Sequence, residues 1–282
     1  MYKNIKDTAR WYKKILEKAL EEVEMYRKWP MPDTEVRKDV KFIFVLSLPR
    51  SGSTVFAKML NTFPSSVLLH EKGEGQWLIR GMCERGKWNK GKKMNYDSIK
   101  KVWSKRVSLI EKLSGNKVKF VIEKSPPNIM RVEEIRKNFE NISFLSLNRN
   151  PIAYCSSSFK NNYGYEYEND RKKIFEEIAK GWIERSRVLK KWIEKYDVKH
   201  TSYERLCKYT SKCISKIHDK YFCDEKVHRG NINRKVSEQE IVNMNKKQIS
   251  NLKEDDFVSI KSVLSSHLSL LSFFGYEDII NN

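Results

Sequence analysis

The chain contains few cysteines and arranges none of them in a pattern. Cys83, Cys155, Cys207, Cys213 and Cys223 form no CxxC pair, and their odd number excludes a complete disulfide framework. A reducing, cytoplasmic setting is the expectation. The amino-terminal stretch MYKNIKDTARWYKKILEKAL lacks the apolar centre of a secretory signal, and no run approaches the roughly eighteen apolar residues of a membrane span. Internal repeats and long low-complexity segments are missing too. So is the ATP-type phosphate loop, because Gly52 is followed by Ser53 and no lysine stands where it would reach a γ-phosphate.

What is present begins with charge. Lys+Arg 56 against Asp+Glu 36 gives a formal net charge of +20, enough to attract a polyanion. The lysines are spread along the whole chain, so a functional basic face and plain surface charge both stay open. At 282 residues the chain can bury a full core, and one elaborated domain over 1–282 is expected, with residues 1–38 as an N-terminal helix and connector packed on it. Within that segment Ile5, Ala9, Tyr12, Leu16, Leu20 and Val23 recur at helical steps until Pro30 and Pro32 stop them.

The stretch SLPRSGST, Ser47 to Thr54, organises the rest. It follows the apolar run Phe42–Leu46, which reads as a buried parallel strand, and precedes a helix from about Ser53 to Thr62. Strand, tight loop and helix make an anion site from backbone amides, and Arg50 adds a fixed charge. Further strands are predicted over 67–69, 118–122, 142–147 and 198–203. Helices are predicted near 74–83, 96–113, 129–139 and 170–196, from Pro151, from about Ser237, and up to Gly275. This alternation predicts an α/β fold of three layers, a central parallel sheet flanked by helices and resembling the P-loop NTPases. His70 and Glu71 follow the second strand, at the sheet edge where such folds bind ligands.

Three separated motifs, PRSGST, EKSPP and LNRNPIAYCSSS, each after a predicted strand, closely resemble the sulfotransferases that use 3′-phosphoadenosine 5′-phosphosulfate (PAPS). The resemblance is strongest to the carbohydrate and tyrosyl-protein branch and covers most of Phe42 to Tyr203. It implies the sulfotransferase fold and transfer of a sulfuryl group from PAPS to an acceptor hydroxyl, leaving 3′-phosphoadenosine 5′-phosphate (PAP), without a metal. It also implies that Arg50, Ser51, Gly52, Ser53 and Thr54 hold the 5′-phosphosulfate, and that Arg149 and Ser157 grip the 3′-phosphate. By the same likeness Lys124 approaches the sulfuryl group and Tyr203 lies near the adenine. Arg229, Gly230 and Arg234 belong to a late loop over the nucleotide. Asn161 falls where some relatives carry one more basic residue, and Arg205 replaces a usual acid.

Pro126 occupies the position of the catalytic histidine of the small-molecule sulfotransferases and cannot act as a base. The base must come from elsewhere, and in the carbohydrate and tyrosyl-protein branch a glutamate just after the second strand takes the proton, so the resemblance, with the spacing from Pro64, implies Glu71, with His70 and Glu74 as rivals. The acceptor is some hydroxyl-bearing molecule, whether glycan, small alcohol, lipid or peptide, and no specific nucleic-acid partner is indicated. Two competing readings are a phosphotransferase with a degenerate loop and an inactive, polyanion-binding relative.

Overall fold

The computed structural model describes residues 35–63, 65–79, 82, 87–89, 91–163, 170–196, 198–222 and 241–281. The predicted amino-terminal helix and the helix expected from Ser237 begin outside them. Strand β1 (Lys41–Ser47) leads through the loop into helix α1 (Ser53–Leu60), and β2 (Ser66–Leu68) follows. Helix α2 (Tyr96–Ser114) precedes β3 (Phe120–Glu123), and α3 (Val132–Asn138) precedes β4 (Ile142–Asn148). Helices α4 (Pro151–Asn162) and α5 (Arg171–Tyr196) then lead to β5 (Lys199–Ser202), α6 (Tyr203–Lys208) and α7 (Thr210–Tyr221). The carboxyl-terminal part holds α8 (Asn245–Ile249), α9 (Glu254–Leu264), α10 (Leu268–Phe274) and α11 (Asp278–Asn281).

All strand pairs are parallel and the order is β2-β3-β1-β4-β5. Successive side chains of a strand point to opposite faces, and β1 uses both. Phe42, Phe44 and Leu46 enter one apolar cluster with α2, α4 and α5, while Ile43 and Val45 enter a second with α1 and α7. Each fully buried side chain of this size contributes about 1.5–3 kcal/mol, which is why the sheet centre is apolar throughout. The sheet thus has helices on both faces, the predicted α/β architecture. Register pairs Ser47 with Leu147 and Asn148 with Ser202, so the loops after β1, β4 and β5 open at one edge.

Several boundaries differ from expectation. The predicted helix over 129–139 is split into a 3-10 turn, Pro126–Met130, and the short α3. Pro126 and Pro127 supply no amide protons, so the chain turns tightly there before a regular helix begins. Of the helix predicted near Glu74, the described residues hold only the 3-10 turn Gly75–Leu78. Tyr203, predicted at the end of a strand, is the first residue of α6 because Ser202 caps that helix through its side chain.

The helical run Glu254–Phe274 also departs from the sequence expectation, since by length and composition it is able to cross a membrane. In this fold Ile260, Leu264, Leu270 and Leu271 are buried, and α9 packs along α5. Asp256 at its start takes two 2.7 Å hydrogen bonds from Arg171.

Candidate active site

At the end of β1 the backbone bends sharply twice. Arg50 has φ 61° and Gly52 φ 84°, both left-handed. A side chain is disfavoured in that region, so Arg50 stores strain of the order of 1–3 kcal/mol, a cost characteristic of sites held by their surroundings. Gly52 has a second reason to be glycine, because a Cβ there would lie 2.5 Å from Cδ2 of Tyr203. Gly52 caps α1 without a side-chain hydrogen bond, so among the described residues no capping side chain takes up the first-turn amides of Ser53 and its neighbours, a helix start suited to an anion. Ser51 is otherwise engaged, its hydroxyl donating to the Leu48 carbonyl at 2.6 Å.

Two guanidinium groups converge on this loop. Arg50 Nε donates to Ser157 Oγ at 3.1 Å, and Arg149 Nη1 donates to the Arg50 carbonyl at 2.9 Å. Burial lowers the pKa of both, but an arginine stays charged. Arg149 is 5% exposed and its Nη2 has no hydrogen-bond partner among the described residues. Its plane stacks over the Tyr203 ring, 4.5 Å to the centroid. The predicted residues Arg50, Gly52, Arg149, Ser157 and Tyr203 are thereby brought into one contact set. Tyr203 itself is buried against Gly52 and Arg149, with its hydroxyl bonded to the Val242 carbonyl and the Met244 amide.

Motif reasoning missed the groups that fix Arg149. Asn245 Oδ1 accepts from Arg149 Nε at 2.9 Å, and its amide donates to Glu204 at 2.6 Å. Glu204 also accepts from the Asn150 amide and the Tyr276 hydroxyl. Of these partners Asn150 lies in the LNRNP motif and Glu204 directly follows Tyr203. Asn245 lies in no motif, and nothing in its surroundings signals the contact. Arg229, Gly230 and Arg234 lie outside the described residues.

Beside the loop a cavity of about 650 Å³ is bounded by Arg50, Glu74, Pro126, Tyr154, Ser158 and Arg185. Arg185 stacks over Trp88 across its wall, 4.7 Å to the ring centroid. Asn161, the position without a basic residue, lies on the same wall. Lys124 is 2% exposed and its Nζ donates to Glu74 Oε1 at 2.5 Å. The other Glu74 oxygen accepts from Gln76 Nε2 and Trp77 Nε1 at 2.7 and 2.9 Å. Burial pushes the Glu74 carboxyl up, but Lys124 and these hydrogen bonds outweigh it, so the carboxyl sits below its usual value.

The residues just after β2 are placed differently. The Glu71 side chain is 73% exposed, is not among the residues lining the cavity, and lies 3.9 Å from its neighbour Lys72. His70 sits on the same turn with Nδ1 accepting from the Lys72 amide at 3.3 Å. A second cavity of about 360 Å³, near β5, is ringed by Lys199, Arg205, Lys212 and Lys216 but holds none of the predicted site residues.

An anion loop at the end of the first strand, a buried cation behind it and, at the adjoining cavity, a Glu74 backed by the buried Lys124 agree with what the sequence comparison finds. The sulfotransferase family profile matches residues 43–221, well over half of the chain. The chain belongs to the sulfotransferase family. It is accordingly an enzyme that moves a sulfuryl group from a donor to an acceptor substrate. Among solved structures it is similar to the sulfotransferase STF9 of Mycobacterium avium, at 12% identity and TM-score 0.55, covering 87% of this chain and 80% of that one. It is similar also to STF1 of Mycobacterium tuberculosis H37Rv, at 12% identity and TM-score 0.53, covering 81% of each chain. At such identity the likeness is one of fold. No curated protein matches the sequence.

Proposed function

We propose that this sulfotransferase uses PAPS as its donor and an acceptor hydroxyl as its nucleophile, with Glu74 rather than Glu71 as the general base. The observation that carries the donor assignment is Arg149 Nη2, a buried guanidinium donor with no partner among the described residues. A buried charged donor costs several kcal/mol to leave unused in water's absence, so an anionic ligand is the natural completion of that site. The loop amides with Arg50 suit one phosphate, and Arg149 with Ser157 suits another. PAPS carries phosphates at both its 5′ and 3′ ends. When bound, the donor supplies an activated sulfuryl group on its 5′-phosphate.

The roles of the residues follow from their chemistry. Arg50 is a fixed positive charge for the oxygen on which negative charge accumulates during transfer, and being an arginine it acts as a clamp and not as a proton donor. Lys124, buried behind Glu74 and bonded to it, adds a second cation on the transfer side of the site. Glu74 is ionised well below neutral pH, so it can receive the acceptor's proton as the hydroxyl attacks. The cavity between Glu74 and Arg185 would seat the acceptor. Unpaired thiols at Cys155, Cys207 and Cys213 accord with a reducing cytosol as its location.

Calorimetric titration with PAP tests the donor. The expected result is saturable binding that needs no added magnesium. Binding of ATP with magnesium, together with no heat from PAP, would overturn the assignment in favour of a phosphotransferase.

A further inference from the structure

The EKSPP motif contains a second acid whose role the transfer chemistry leaves open. Glu123 is fully buried at the end of β3. Its Oε2 accepts from the Gly75 amide at 2.6 Å, and its Oε1 accepts from the Ser125 amide at 2.8 Å and from Asn128 Nδ2 at 3.2 Å. Gly75 directly follows Glu74, and Ser125 directly follows Lys124. One carboxylate therefore ties together the two chain segments that present the buried ion pair.

Neighbouring bonds extend the same bracket. The Lys124 amide donates to the Gly73 carbonyl at 2.8 Å, the Gln76 amide to Ser125 Oγ at 3.2 Å, and Trp103 Nε1 to the Gly75 carbonyl at 3.2 Å. Gly75 has no room for a side chain, since a Cβ would meet Glu123 Oε2 at 2.6 Å. Backbone on both sides of the pair is thus stitched residue by residue, and Glu123 is the only member of the set that grips both sides through one rigid group.

We propose that Glu123 is a positioning residue for sulfuryl transfer, holding Glu74 against Lys124 through Gly75 and Ser125. This rests on Glu74 being the base. The hydrogen bonds favour the ionised carboxylate, because both backbone partners donate. Burial nonetheless raises its pKa to about 7, with the ionised Glu74 facing it and adding to the rise. Glu74 is the charged group that acts on it from the packed turn, and Ser125 and Asn128 supply the neutral partners.

Two substitutions separate positioning from simple support of the fold. In Glu123→Gln the side-chain NH2 faces an N–H donor on one side, so either the segment carrying Glu74 or the one carrying Lys124 must shift, and a displacement near 1 Å can cost about a hundredfold in rate. The expected result is a kcat loss of about ten- to a hundredfold, with KM for PAPS and calorimetric affinity for PAP within about twofold of wild type. Gly75→Ala keeps every charge but pushes the carboxylate away. Its expected signature is an upward shift of the acid limb of the kcat/KM profile, because a loosened Lys124 contact lets Glu74 return towards its ordinary pKa. Wild-type kcat in Glu123→Gln, or an unmoved acid limb in Gly75→Ala, overturns the proposal, and so does a loss of PAP affinity equal to the loss of kcat. Glu74→Gln measured in parallel isolates the base assignment, since full turnover there condemns that reading and not the bracket. Carboxyl NMR titration of Glu74 in the unliganded protein then reads the bracket without any turnover, and the same pKa in Gly75→Ala as in wild type overturns it.

Discussion

The two ends of the candidate site are built on different plans. At the anion-loop end a contiguous loop and one arginine supply backbone amides, guanidinium donors and a contact with the Tyr203 ring, and one donor, Arg149 Nη2, is left without a partner among the described residues. At the transfer end the charged atoms satisfy each other, Lys124 on Glu74 at 2.5 Å, and the surrounding backbone is bracketed by Glu123. An end that binds keeps unused donors for its ligand. On the proposed reading, the end that reacts keeps its acid and its cation paired until the acceptor enters.

The comparison breaks first at Glu74. Glu74→Gln keeps an oxygen for Lys124 Nζ and keeps the shape of the side chain, but cannot take a proton. Turnover is expected to fall by about a hundred- to ten-thousandfold, the range for loss of a general base, with PAP affinity nearly unchanged. Steady-state rates and calorimetry on the same preparation check both halves. Wild-type turnover would remove Glu74 from the chemistry. Melting temperature is a necessary companion measurement, because weakening one side of a buried pair destabilises the protein.

Arg149→Ala is expected to do the reverse. Loss of charge-assisted hydrogen bonds of this kind costs about 1.5–3 kcal/mol, which is roughly a ten- to a hundred-and-fifty-fold weaker affinity for PAP. Turnover at saturating donor should fall much less. If PAP binds the variant as tightly as wild type, the two-phosphate reading of the loop and Arg149 is wrong.

The same contrast explains what the sequence could disclose. The loop end was legible because an anion loop is local: a strand, a glycine and a helix start stand next to one another in the chain, and the apolar run Phe42–Leu46 announces the strand. The parallel sheet was legible for a similar reason, since its strands are short apolar runs alternating with helical periodicity. Helix boundaries failed where prolines or glycines intervened, at Pro126–Met130 and Gly75–Leu78, because local turn geometry overrides a weak period. Asn245 was invisible, as its contact with Arg149 spans 96 positions and depends on how α8 packs on α4. The bracket around Glu74 was invisible for the same reason: spacing along the chain does not say that Gly75 meets Glu123.

The smallest effect is expected where the motif alignment pointed first. Gly73 takes a left-handed φ of 73°, and its amide donates to the His70 carbonyl at 2.7 Å, so the chain reverses between positions 70 and 73. That reversal puts Glu71 in solvent and Glu74 at the cavity, although only Lys72 and Gly73 separate them. An exposed pair such as Glu71 with Lys72 contributes little to stability. Glu71→Gln should therefore leave turnover, PAP affinity and melting temperature within error of wild type. A tenfold or greater loss of turnover in Glu71→Gln, with Glu74→Gln still active, would mean that the turn rearranges when the acceptor binds and that the exposed acid swings in as the base. Equal, small losses in both variants would instead put the proton on a group outside this turn, and the contrast between a binding end and a reacting end would have to be redrawn without Glu74.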